Sequence, residues 1–398
     1  MAVQKYFSFF NMVNTLFKEL IRPLPKSGRL LFLDYARGLA LIFMIYNHAL
    51  RNFSAKRWYA RGDIMEFQNI GSLLMKGAPP LFIITFGFLI AYIYTDDARK
   101  NTVYSLVQKF WLKAGIIFIA YRLCAYFESL GRKLSYHFNA VGDTHWIEIL
   151  MFYVILLLLT PFVIIAYKKI PSILFFMISI GLIFFSLKIS QAGYNNQFTF
   201  FPRDFNLLFF GLKGHFNFPI FPYIGVYFIG FLMGIFYRKC ETSQQADWFI
   251  SILFIVGLCL FVNFYLIAND KMMYHLYMIK NNIYKHPPNY YFHLYSVASA
   301  VVILSFAMIN ERYLGFKGDI ISYMGKRPLF LFVTHFFLIF IVFKQIIGRL
   351  YTLSIGKALT YSCFTLVLCY LSLKAWNLIV EFIYQGRSKN IQNGKSTD

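Results

Sequence analysis

The chain has 398 residues, of which 59% are hydrophobic, 21% aromatic and only 14% charged, and its net charge is +22. A soluble domain carries about 25% charged residues, so this sequence lacks the polar side chains needed to cover a water-exposed surface. The composition excludes a secreted or cytosolic globule, and it excludes a nucleic-acid-binding protein in spite of the positive charge. It is typical of a polytopic membrane protein.

The first 29 residues precede the first apolar stretch of spanning length. Their apolar side chains recur at helical spacing from Tyr6 to Ile21, among basic residues from Lys5 to Arg29, and no small-residue cleavage site is apparent. We expect residues 1–29 to form an amphipathic cytoplasmic segment that lies on the membrane surface. A solvated N-terminal tail is the alternative.

Ten apolar stretches near the bilayer length of about 20 residues follow. They predict an all-α polytopic bundle of about ten transmembrane helices, which forms one domain over residues 30–383 and ends in a basic cytoplasmic tail at 384–398. With the N-terminus inside, the cytoplasmic segments hold the larger share of the Lys and Arg outside the spans, so we expect both termini in the cytoplasm. The predicted spans lie at about 30–50, 70–94, 108–127, 146–167, 172–189, 219–237, 248–268, 293–310, 327–347 and 355–383.

Two long segments, 190–218 and 269–292, then face the outside. Both mix aromatic, amide and cationic side chains. Such a mixture can hold a sugar by stacking and a phosphate by charge. A solvated loop with an interfacial aromatic belt is the alternative.

The first predicted span carries three ionisable side chains, Asp34, Arg37 and His48. Charged groups inside a membrane are costly and indicate a functional site by default. Arg37 and His48 are 11 positions apart, about three helical turns plus 20°, so they share one helix face and lie roughly 16 Å apart along its axis. Asp34 precedes Arg37 by one turn, a spacing suited to an ion pair.

This polar face fits a long, thin, anionic ligand such as acyl-coenzyme A, whose pantetheine arm has about that reach. Gly38 and Ala40 allow a ligand or another helix to approach closely. Lys109 and Lys113, one turn apart at the cytoplasmic start of the third span, are candidates for binding the phosphates of coenzyme A. The alternatives are an ion pair that only fixes helix packing, an interfacial histidine and ordinary positive-inside charge.

The motif Asp34-x-x-Arg37-Gly38, followed by His48, resembles the signature of the transmembrane acyltransferase superfamily. That superfamily includes the type 3 acyltransferases, the periplasmic glucan succinyltransferases and bacterial relatives of heparan-α-glucosaminide N-acetyltransferase. One departure is Phe86, where the family has a serine before Gly87. The similarity continues, in the family's order, in Ala78–Phe88, in Thr144–Tyr153 with Pro161, in Phe218–Gly225 with Gly230 and Gly234, and in Gly325–His335.

The resemblance implies a membrane enzyme that takes an acyl group, usually acetyl, from cytoplasmic acyl-coenzyme A. It would transfer that group to a hydroxyl or amine of an extracytoplasmic glycan or lipid-linked saccharide. By position Arg37 would bind the acyl donor, and His48 and Asp34 would be the catalytic residues; His335 and His145 are further candidates. A histidine can deprotonate the attacking group or carry the acyl group covalently, and both routes stay open.

Two other functions compete with the enzyme. A transporter or flippase of a glycan or lipid-linked intermediate would use the polar face as a substrate path, although no inverted repeat is apparent. A structural subunit of an envelope complex would not need ionisable groups on one helix face. The sequence has no metal-ligand spacing and no nucleotide-binding loop, so the expected partners are acyl-coenzyme A, the saccharide and the lipids of a bacterial inner membrane, without nucleic acid.

Overall fold

The structure is a computed structural model that describes residues 29–55, 67–95, 102–132, 148–196, 203–210, 218–285, 288–315 and 320–393. Within these ranges the chain is helical, and the only extended pairings are two isolated bridges, Ser54 with Leu353 and Lys285 with Pro288. The helices, in chain order, are α1 Leu31–Phe53, α2 Phe67–Leu74, α3 Ala78–Tyr94, α4 Val103–Arg132, α5 Glu148–Lys169, α6 Ser172–Asn196, α7 Arg203–Phe210, α8 Ile220–Arg238, α9 Ser243–Ala268, α10 Met272–Lys280, α11 Tyr290–Ile309, α12 Ile320–Gly325, α13 Pro328–Phe337, α14 Lys344–Ile347 and α15 Ile355–Asn393.

In the described part of the chain, nine helical stretches are long and apolar enough to cross a membrane. They coincide with the second to tenth predicted spans. Helix α1 has 23 residues, about 34 Å of helix, which is also enough to cross the hydrocarbon core. The prediction of an all-α polytopic bundle is therefore confirmed.

The two predicted flanking segments are described only in part. Residues 1–28 of the N-terminal segment lie outside the described residues. Helix α15 continues to Asn393, ten positions past the predicted end of the last span, and residues 394–398 are outside the description. The predicted outer segments contain short helices, α7 in the first and α10 in the second.

Helix α1 lies at the centre of the bundle, where it packs against α3, α11, α12, α13 and α15. Many of its apolar side chains are fully buried, such as those of Ala36, Leu41 and Ile45. Helices α6, α9 and α15 instead expose large apolar side chains, such as Phe184, Ile255 and Phe364. That exposure is what lipid-facing helices require, and it leaves the polar face of α1 inside the protein.

Glycines bring the backbones of neighbouring helices into direct contact. A Cβ on Gly38 would collide with the carbonyl of Ile321 on α12, and one on Gly325 would collide with the carbonyl of Asp34 on α1. Small residues permit such close helix packing in membrane proteins. The partner that the sequence predicted to approach Gly38 is therefore helix α12, which fixes the level of Asp34 and Arg37 in the bundle.

Candidate active site

Arg37 points from α1 towards α3. Its Nε lies 3.4 Å from the hydroxyl oxygen of Thr85, and its Nη2 donates to the Thr85 carbonyl at 3.2 Å. Thr85 is fully buried, and Tyr153 on α5 is also close enough to act on the charge of Arg37. Two helices besides α1 therefore position this guanidinium.

Thr85 is a site residue that the sequence did not predict, because the family resemblance points to the next position, Phe86. Phe86, which replaces the family's serine, packs edge-on against Tyr153 at a centroid distance of 5.4 Å and lies 6.0 Å from the ring of Tyr227. The second span nevertheless supplies a hydroxyl to the site, from the position before Phe86.

Asp34 is paired with Arg29 and not with Arg37, contrary to the ion pair that the one-turn spacing suggested. Arg29 Nε and Nη2 donate to the two carboxylate oxygens of Asp34 at 2.9 and 2.8 Å. The bidentate geometry suits a guanidinium better than a contact along one helix face. Asp34 still acts on Arg37 electrostatically, but its hydrogen bonds go to the residue that precedes α1.

A third arginine, Arg327, belongs to the same region. It lies two residues after Gly325, whose backbone touches that of Asp34. The charge of Arg29 acts on Arg327, so the two guanidinium groups lie near each other. We call Arg29, Asp34, Arg37 and Arg327 the arginine end of α1. A second carboxylate lies beside it, that of Glu311, which accepts a hydrogen bond from the backbone N–H of Phe32 at 2.5 Å.

Lys109 and Lys113 are exposed on α4. The ammonium of Lys109 lies 5.1 Å from the centroid of the Tyr94 ring. The charges that act on Arg37 are those of Asp34, Tyr153 and Arg29, so within the described residues neither lysine joins the arginine end. A role for the two lysines with the donor phosphates stays a prediction.

His48, three turns further along α1, meets His335 of α13. Its Nδ1 lies 3.1 Å from Nε2 of His335, whose side chain is fully buried, while His48 itself is half-buried. Phe336 packs against both rings, at centroid distances of 5.8 Å to His48 and 4.6 Å to His335. The helix widens into a π-helical turn, Leu338–Phe343, soon after His335, a distortion common at functional sites.

The hydrogen bonds of this pair define the tautomer of each neutral ring. Nδ1 of His335 lies 3.0 Å from the Leu331 carbonyl, which can only accept, so this nitrogen carries the hydrogen and Nε2 is an acceptor. Nδ1 of His48 must then donate to Nε2 of His335. In a neutral imidazole the other nitrogen of His48, Nε2, is left with the lone pair, as a general base requires.

A polar network holds the end of α1 beyond His48. Asn52 is fully buried; its amide donates to the His48 carbonyl at 2.8 Å, and its side-chain oxygen accepts from the hydroxyl of Tyr351 at 2.9 Å. Arg132 of α4 lies 3.5 Å from the same oxygen and pairs with Glu128 at 2.9 Å. The network ties the last turn of α1 to α4 and to the segment before α15.

A family model described as an acyltransferase domain, that of the type 3 acyltransferases, matches residues 30–374. The chain belongs to the type 3 acyltransferase family. The match runs from the residue before α1 into α15, so this acyltransferase domain includes Arg37, His48 and His335. A search of curated proteins gave no significant match. The protein is thus an integral membrane acyltransferase, which requires an acyl donor and an acceptor.

The structure brings some of the predicted site residues together and separates others. His48 and His335 are in contact, and Arg37 lies on the same helix as His48. Asp34 is held by Arg29, and Lys109 and Lys113 lie on the surface. His145 is outside the described residues.

Proposed function

We propose that this type 3 acyltransferase transfers an acyl group, typically acetyl, from cytoplasmic acyl-coenzyme A to a hydroxyl or amine of an extracytoplasmic glycan or lipid-linked saccharide. The observation that carries the proposal is the pair of sites along α1. Arg37 is held by Thr85 at one level, and about three turns away His48 is held by His335. A bacterial cytoplasmic membrane is the location that fits a cytoplasmic donor.

The arginine end suits the donor. Coenzyme A carries several phosphate charges, and guanidinium groups bind phosphate with two parallel hydrogen bonds. Among the described residues, the three arginines outnumber the carboxylates of Asp34 and Glu311 at this end, so an excess of positive charge remains there. With both termini in the cytoplasm, as the loop charges predict, this end of α1 faces the compartment that supplies acyl-coenzyme A.

The histidine pair suits the transfer step. In the proposed reaction, Nε2 of His48 accepts the proton of the acceptor hydroxyl or amine while the acceptor oxygen or nitrogen bonds to the thioester carbon. The tetrahedral intermediate then expels the coenzyme A sulfur, which takes that proton from His48. His335 accepts the Nδ1 hydrogen of His48 throughout and so keeps the ring in place. General-base catalysis of this kind contributes about 10²–10⁴-fold in rate.

A transfer assay separates this function from transport. Purified protein in vesicles is given acetyl-coenzyme A labelled in the acetyl group, with envelope glycan on the outer side. Labelled glycan, and free coenzyme A in equal amount, are the expected products. Movement of an unmodified saccharide across the vesicle without release of coenzyme A would instead identify a transporter.

Membrane orientation has its own test. In a variant whose five cysteines are replaced, single cysteines are introduced at Lys271 and at Gly315 and labelled from outside intact cells with a membrane-impermeant reagent. We expect label at position 271 and not at position 315. The reverse pattern would put the arginine end outside, away from the donor.

A further inference from the structure

Four basic side chains meet near the end of α1 that carries His48. Arg51 lies in the last turn of α1, Lys76 in the turn between α2 and α3, Lys280 at the end of α10 and Lys285 in the loop that follows. We call these four residues the outer basic cluster. Lys76 and Lys280 are only 6% and 1% exposed, so the cluster is built into the protein interior and is not an ordinary charged surface.

The cluster is compact and adjoins the histidine pair. The charges of Arg51, Lys280 and Lys285 all act on Lys76, and those of Arg51 and Lys285 also act on His48. Lys76 donates to the side-chain oxygen of Asn282 at 2.6 Å. The ammonium of Lys285 lies 4.1 Å from the centroid of the Phe218 ring.

Buried like charges that repel one another are costly unless a counter-charge is near. Among the described residues, Glu148 is the carboxylate that acts on Lys285, and the charges that act on Lys76 are all positive. Burial lowers the pKa of Lys285 to about 8, with Glu148 opposing this effect and Arg51 adding to it. Because burial makes the charged form of this lysine costly, an anion bound beside it would stabilise that charge.

The two ends of α1 differ in how their cations are held. At the arginine end, Arg29 and Asp34 form a bidentate pair, and the donor supplies further phosphates. At the His48 end, the cations come from α1, from the turn between α2 and α3, and from α10 and the loop that follows it, and two of them act on His48. Because the donor is held from the opposite end, the anion that fits here comes from the acceptor.

We propose that the outer basic cluster binds a phosphate or carboxylate group of the acceptor saccharide, next to the hydroxyl or amine that His48 activates. The acceptor is then an acidic saccharide or a phosphate-linked one, and a neutral sugar is a poor substrate. This inference rests on the proposed function, because it assumes that the acceptor reacts at His48. The ring of Phe218, which packs against Tyr223, supports the ammonium of Lys285 in the cluster.

The test measures sugar binding without any acyl donor. Saturation-transfer NMR is recorded on purified protein with three probes of similar size, which are glucose, glucose 6-phosphate and glucuronate. We expect one or both anionic probes to bind at least ten times more tightly than glucose, as charged hydrogen bonds allow. The stronger of the two identifies the group as phosphate or carboxylate, and equal binding of all three probes would overturn the proposal.

Matched variants locate the anion. Lys285→Gln and Lys76→Gln should each lose most of the preference for the anionic probe, whereas Lys285→Arg should keep it. Lys271→Gln, which removes an exposed lysine close by in the chain, should leave the preference unchanged. If Arg37→Ala abolishes the preference and the cluster variants keep it, the anion binds at the arginine end and the proposal is wrong.

The same samples separate this inference from the proposed function. Binding of acetyl-coenzyme A is measured on the wild type and on each variant. Wild-type protein that binds no acetyl-coenzyme A would refute the proposed function, whatever the sugars do. Cluster variants that keep normal acetyl-coenzyme A affinity are folded, so their loss of anionic sugar binding reports on the cluster itself.

Discussion

The two ends of helix α1 hold their ionisable side chains in different ways. At the arginine end, charges are paired and anchored: Asp34 accepts two hydrogen bonds from Arg29, and Arg37 is held by Thr85. At the other end, His48 hydrogen-bonds a second histidine, within reach of the charges of Arg51 and Lys285. The first arrangement fixes a permanent charge, whereas the second sets which nitrogen of a ring holds a proton.

That difference separates binding from chemistry along one helix. A guanidinium stays charged in either state of a reaction, so it anchors a phosphate but cannot move a proton. An imidazole can do so near neutral pH. Substitutions at the arginine end should therefore change donor affinity, and substitutions at the histidine pair should change turnover.

The largest effect is expected at His48. Replacement by Ala or by Gln should lower acyl transfer by about 10²–10⁴-fold, since the amide of Gln forms hydrogen bonds but cannot take a proton near pH 7. Affinity for acetyl-coenzyme A should stay near that of the wild type, because His48 is not the phosphate anchor. The measurement is transfer of labelled acetyl groups to the envelope glycan, with calorimetry for the donor. Near-normal transfer by His48→Gln would reduce His48 to a packing residue.

Arg37→Ala should mainly weaken donor binding. We expect a loss of about 1.5–3 kcal/mol, as for a charged hydrogen bond, which is roughly a 10- to 150-fold weaker Kd. Calorimetry with acetyl-coenzyme A measures it. Lys169→Gln, at an exposed lysine at the end of α5, is the matched loss of one positive charge and should have a much smaller effect. Equal affinity of wild type and Arg37→Ala would remove Arg37 from the donor site.

His335 is expected to act as a positioning residue for His48. His335→Ala removes the acceptor for Nδ1 of His48, a loss of about 1–3 kcal/mol, so turnover should fall roughly 5- to 150-fold with little change in donor affinity. His335→Gln retains a side-chain acceptor and should recover part of the turnover. If Ala and Gln lower turnover equally, or if both weaken donor binding as much as turnover, His335 serves only the fold.

The sequence was sufficient to predict the helices and to identify the helix that carries Arg37 and His48. Apolar stretches of spanning length report directly on membrane helices, so all ten predicted spans correspond to helices. The 11-residue spacing correctly put Arg37 and His48 on one helix, because helical geometry is local. Asn52 was predictable in the same way, since it follows His48 by one turn, the spacing of the hydrogen bond it makes.

Contacts between distant segments were beyond such local rules. The spacing within α1 suggested Asp34 as the partner of Arg37, but competition from Arg29 gave Asp34 a bidentate partner instead. Thr85 and His335 reach α1 only because α3 and α13 pack beside it, and no periodicity in one helix encodes that. The outer basic cluster likewise draws its side chains from α1, from the turn between α2 and α3, and from α10 and the loop that follows it.

The smallest effect on donor affinity is expected from a substitution that removes only one of the two contacts between Arg37 and Thr85. Thr85→Val keeps the shape of the side chain and removes the hydroxyl 3.4 Å from Nε of Arg37, while the backbone carbonyl of residue 85 still accepts from Nη2. The lost contact is long, so we expect about 0.5–1.5 kcal/mol, a roughly 2- to 10-fold weaker Kd for acetyl-coenzyme A, with turnover at saturating donor unchanged. Thr365→Val is the matched control, because that hydroxyl is also buried but bonds only the Tyr361 carbonyl of its own helix. A drop in turnover without a change in Kd would mean that Thr85 acts on the reaction itself and that binding and chemistry are not divided between the two ends of α1.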